Sequence, residues 1–191
     1  TGAKLGMWFF LFTEMILFGG MFLIYAVYRE AHPADFRSAA AEMSIRLGAL
    51  NTLILLTSSL TMALSLSAIK LGERGRSMLF QAATIALGLF FLGNKYFEWS
   101  GHIRHGLYPG SPALLALGHG KILYFGLYYV MTGLHALHIV IGAAAICCTL
   151  IMTKTGRISG ADHITLENTG LFWHLVDIIW IYLFPLFYLI K

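Results

Sequence analysis

Five apolar runs, at residues 5–28, 47–71, 77–100, 121–153 and 168–190, fix what this chain can become. Each meets or exceeds the roughly 20 residues that a helix needs to cross the hydrocarbon of a bilayer at about 1.5 Å per residue. In that solvent every backbone N–H and C=O must be satisfied within the segment, so the runs are predicted as helices. The predicted fold is all-α: an integral membrane bundle of five transmembrane helices, forming one domain over residues 1–191. Composition agrees. Charged residues make up 12% of the chain, against about 25% in soluble domains, and the mean hydropathy is +0.75. The first run lacks an A-x-A-like cleavage site and is read as a permanent span. Because the chain does not open on Met, a trimmed start is expected.

The net charge of +4 is no nucleic-acid signal, since the cations sit mostly in loops. With five spans the chain ends fall on opposite sides. The side of Lys4 also holds Lys70, Arg74, Arg76, Lys154 and Arg157; the other holds Arg29, Arg37, Arg46, Arg104, Lys121 and Lys191. The counts tie. The Lys4 side is denser, with three cations in one short turn, which points to a cytoplasmic N-terminus and a periplasmic C-terminus.

The ionisable residues inside the spans are the candidate functional groups, because hydrocarbon does not tolerate them without partners. Glu14 lies well inside the first run. His135 and His138 are three apart in the fourth, and His174 and Asp177 three apart in the fifth, so each pair shares a helical face. Counted by rise per residue, all five fall at similar depth toward the Lys4 side, which predicts a shared polar cluster. Three functions fit it: a bis-histidine haem using His135 or His138 with His174, a proton or ion route, or a structural polar core. A channel or transporter would call for repeats or broken helices, which the sequence does not show.

Other polar residues have blander readings. Lys95 and Glu98 are three apart, beside Trp99, and read as an interfacial salt bridge in an aromatic belt. The many hydroxyls of the second run read as helix glue, and Gly19–Gly20 as a place where another helix comes close. His102, His105 and His119 have no zinc-like spacing and read as surface histidines. Adjacent Cys147 and Cys148 read as small packing residues. Pro185 removes a backbone donor near the end of the last span and predicts a kink there.

Six segments, in order along the chain, resemble subunit III of the haem-copper oxidases. Thr13-Glu-Met-Ile-Leu-Phe-Gly-Gly-Met-Phe22 resembles S-E-V-x-F-F-x-G-F-F. Asn51-Thr52 with Leu55, Leu56 and Ser58 resembles N-T-x-x-L-L-x-S, and Lys95-Tyr-Phe-Glu98 the bacterial K-x-x-E-Y, with Trp99 for Tyr. Thr132-Gly-Leu-His-Ala-Leu-His-Ile139 is similar to T-G-F-H-G-L-H-V. His163 and Glu167 keep the family spacing to His174, and Trp173-His-Leu-Val-Asp-Ile-Ile-Trp180 is close to W-H-F-V-D-V-V-W.

The resemblance implies the five-helix bacterial form, lacking the first two of the family's seven spans. It implies a non-redox subunit with no catalytic residue and no metal of its own. Such a subunit stabilises the catalytic subunit and supports proton uptake. Partners would be subunits I and II, which carry the haem and copper, with phospholipid bound and electrons arriving from cytochrome c or quinol. Glu14, His135, His138, His174 and Asp177 would form the polar core, and His163 and Glu167 would lie near a lipid headgroup. An accessory subunit related to nitric oxide reductase shares the helix pattern. The expected location is the bacterial inner membrane.

Overall fold

The protein is described by a computed structural model covering residues 2–190. Lys191, counted above among the cations, lies outside the described residues. The helices are α1 (Gly2–Ala31), α2 (Pro33–Ala40), α3 (Ile45–Lys70), α4 (Arg74–Arg104), α5 (Pro112–Leu115), α6 (His119–Lys154) and α7 (Ile164–Tyr188). Five of them are long and apolar enough to cross a membrane. They overrun the apolar runs at most ends. The backbone ladder does not depend on apolar side chains, so α4 begins on Arg74 and carries Arg76 in its first turn.

Two short helices lie in segments expected to be loops. α2 has Pro33 at its start and Asp35 in its first turn, both favourable there. It buries Phe36 edge-on against Tyr25 and Tyr124. α5 is capped by Ser111, whose hydroxyl accepts from the Leu114 N–H at 3.0 Å.

α3 and α4 form a tight hairpin around Gly72, whose φ of 81° suits a residue without Cβ. Polar contacts run along their seam: Asn94 Nδ2 donates to Asn51 Oδ1 at 2.9 Å, Thr61 meets Thr84 at 2.8 Å, and Ser65 meets Ser77 at 3.1 Å. Gln81 extends the seam to α6, donating to Thr153 at 3.2 Å and accepting from Thr149 at 3.0 Å. Hydroxyls thus join helices where lipid and protein side chains are equally apolar.

α7 fills the centre. Trp173 is wedged between Gly88 of α4 and Gly142 of α6, where an added Cβ would stand 2.8 Å from its ring. Its indole N–H donates to Ser58 at 3.0 Å, and that of Trp180 donates to Thr52 at 3.0 Å. Close approach therefore happens at Gly88 and Gly142. At Gly19 and Gly20 nothing among the described residues lies within 4 Å of a would-be Cβ; Gly19 lines an open groove beside Ile178 and Tyr182 of α7, and Gly20 is exposed.

α1 packs on α6, α7 and α2, held by three polar clasps. Lys4 bonds Glu167 at 2.9 Å, Glu14 bonds His138 at 2.8 Å, and the Tyr25 hydroxyl donates to the Leu186 carbonyl. Tyr124 of α6 likewise donates to the Phe187 carbonyl at 2.6 Å. α7 runs through Pro185 to Tyr188, so two carbonyls of its last turn, which no later N–H of the helix reaches, are satisfied by tyrosines from neighbouring helices. Tyr124→Phe should cost about 1–3 kcal/mol by stranding a buried acceptor. Thermal unfolding of the purified protein measures this against Tyr96→Phe, whose side chain is exposed. Equal midpoints would refute it.

Candidate functional site

Glu14 stands about 18 Å along α1, far from both ends of a membrane-long helix. Its carboxylate meets His138 Nε2 at 2.8 Å, and the two side chains are 13% and 9% exposed. His138 Nδ1 lies 2.7 Å from the Leu134 carbonyl one turn back. A carbonyl only accepts, so Nδ1 carries the hydrogen. One further proton then lies between Nε2 and the carboxyl: either the imidazolium donates to the carboxylate, or the acid donates to the imidazole. The pair is neutral overall in both forms, which suits its surroundings. Phe18 and Phe172 pack against the imidazole.

The other three candidates do not join this pair. His174 Nδ1 is 2.7 Å from Ser59 Oγ on α3. Asp177, one turn on, is buried, and neither of its oxygens has a hydrogen-bond partner among the described residues. His135 is fully buried between Phe91 and Trp180, with ring centroids 5.5 and 5.2 Å away, and neither of its nitrogens has a partner among the described residues. The five groups thus split into three places: an α1–α6 pair, an α3–α7 group, and a lone imidazole in the core. Rise per residue gives depth but not azimuth, and azimuth separates them. No group of three or more His, Cys, Asp or Glu side chains suited to a metal occurs among the described residues.

Lys95 and Glu98 lie inside the bundle, where the sequence pointed to an interfacial bridge. Their side chains are 4% and 3% exposed. Lys95 Nζ donates to Glu98 Oε2 at 3.1 Å and to the hydroxyls of Tyr128 and Tyr188 at 2.9 Å each. Both hydroxyls donate onward to Glu98 Oε1, at 2.9 and 2.5 Å. Every ammonium hydrogen and both carboxylate oxygens are used, tying α4, α6 and α7 together. The two tyrosines went unnoticed in the sequence. Tyr128 carried a signal, lying two turns before His135 on the same face; Tyr188 carried none.

His163 precedes α7 at the rim, its Nδ1 3.0 Å from the Gly160 carbonyl. Glu167, one turn on, is engaged by Lys4. The two therefore sit at the membrane edge on the Lys4 side, by the mouth of a groove between α1, α6 and α7.

Known proteins place this architecture. The family model for cytochrome c oxidase subunit III matches residues 1–191. The chain is 31% identical over 186 residues to cytochrome c oxidase subunit 3 of Synechocystis sp., spanning 97% of this chain and 74% of that one. It is 27% identical over 187 residues to a probable quinol oxidase subunit 3 of Staphylococcus haemolyticus, spanning 98% and 88%. It is 29% identical over 190 residues to heme-copper oxidase subunit I+III of Aeropyrum pernix, spanning 96% of this chain and 22% of that longer protein. The chain therefore belongs to the cytochrome c oxidase subunit III family of the haem-copper oxidases, as a multi-pass membrane protein that works beside other oxidase subunits.

Proposed function

We propose that the chain is a non-redox subunit III of a bacterial terminal oxidase, packed on subunit I beside subunit II. Electrons reach that complex from cytochrome c or quinol, and the relatives' names include both kinds. The haems and copper belong to the partner subunits. Supporting this, His138 has both ring nitrogens engaged and offers none to iron, and His135 is walled in by aromatic rings. The Lys4 side faces the cytoplasm, in line with its denser cations. His163 and Glu167 at that rim lie where a phospholipid headgroup would rest.

The observation that carries the role is the Glu14–His138 pair. It holds one shared proton at mid-membrane, and moving that proton between the two groups leaves the pair's net charge unchanged. An exchange in which one proton arrives as another leaves keeps such a pair neutral, and in this way it supports proton uptake by the catalytic subunit. Glu14→Ala should leave the initial oxidase rate nearly unchanged and shorten the number of turnovers before inactivation. Oxygen consumption followed to exhaustion in purified complexes measures both. Equal lifetimes for variant and wild type would reject the role. A mild-detergent purification tests the wider reading. The chain should arrive with subunits I and II and be colourless alone; a reducible b-type spectrum from the isolated chain would overturn it.

A further inference from the structure

His174 is left over by the reading above. Its ring stands about 15 Å along the 25-residue α7, near the bilayer midplane. Nδ1 faces Ser59, while Nε2 has no hydrogen bond among the described residues. The ring lines a furrow of about 400 Å³ between α1 and α7, together with Trp8, Phe12, Leu171, Leu175 and Ile178. This furrow opens on the outside of the bundle: Trp8, Phe12 and Ile178 are all exposed. Its walls are i, i+4 ridges, the relief into which another helix packs.

Acyl chains carry no hydrogen-bonding group, and headgroups lie about half a bilayer away. An imidazole edge facing acyl chains alone would stay unsatisfied. The far side of the bundle differs. There Leu89, Phe90, Tyr96 and Phe97 of α4 are exposed, an apolar and aromatic surface suited to lipid.

We infer that the α1–α7 furrow seats a transmembrane helix of another oxidase subunit, which places a hydroxyl, amide or carboxyl side chain against His174 Nε2. The inference rests on the subunit III reading and adds to it which face is docked and by what chemistry.

A photo-crosslinking residue placed at Ile178, with Phe97 as the comparison site, tests this in native membranes. Irradiation at 178 should yield one transmembrane peptide of another oxidase subunit, identified by mass spectrometry, and at 97 a phospholipid adduct. A phospholipid adduct at 178, or one to a second copy of this chain, overturns the inference. Two substitutions test the hydrogen bond. A glutamine amide reaches the place of Nε2, and an asparagine amide that of Nδ1. His174→Gln should retain the partner through a detergent wash, and His174→Asn should retain about tenfold less, the effect of one lost hydrogen bond. Equal retention would remove Nε2 from the interface. A chain that brings down no oxidase subunit at all would sink the subunit III reading as well.

Discussion

Lys95→Met should destabilise the chain by about 3–5 kcal/mol, the usual cost of breaking a buried ion pair from one side. The loss is large because of what remains. Glu98 would be left without its counter-charge in a site 3% exposed, with two tyrosine hydroxyls donating to it. Charge-assisted bonds from Lys95 to Tyr128 and Tyr188 would vanish as well. Lys95→Met with Glu98→Gln should recover at least half of the loss. An amide oxygen still accepts from both hydroxyls, and no net charge is stranded. The unfolding midpoint of the purified protein and the amount of chain in membranes both report this. A single variant as stable as wild type, or a double variant no better than the single, would show that the four residues do not act as a unit.

Gly142→Ala should cost about 1–3 kcal/mol by overpacking, and Gly88→Ala a similar amount. Each puts a methyl group 2.8 Å from the Trp173 ring, and Trp173 has no room to retreat. It is fully buried, and its indole is held by Ser58. The diagnostic is coupling. Trp173→Phe alone opens a cavity and loses the Ser58 bond. Combined with Gly142→Ala, the smaller ring accepts the methyl, so the double variant should lose less than the sum of the singles. Strict additivity would mean that the glycine is needed for something other than the ring.

These two cases mark what the sequence disclosed. All five spans were legible because hydropathy over 20 residues is a strong signal and the bilayer allows few alternatives. α2 was not, since a helix of eight residues has too little apolar periodicity, although Pro33 and Asp35 were cues to its start. The Lys95–Glu98 pairing was legible from i, i+3 spacing. Its burial was not, because Tyr188 closes the site from 93 residues away and Trp99 beside it suggested an interface. Glu14, His138 and His174 were singled out as ionisable groups in apolar runs. Which of them touch depended on helix rotation, and that is set by packing at positions such as Gly88 and Gly142.

The Glu14–His138 contact has a consequence for how the protein is made. The two residues are 124 positions apart, and chains grow at about 5–20 residues per second. For roughly 6–25 s, then, the ribosome has delivered the acid but not the base. Neither α3 nor α4, the next spans to emerge, forms a substantial contact with α1. Throughout that interval the newborn first span carries an unmatched carboxyl, so it is best retained in the insertion machinery, or near its aqueous pore, until the fourth span arrives. Assembly of these helices thus contains an interval before the clasp can close, timed by the length of chain between an acid and its histidine.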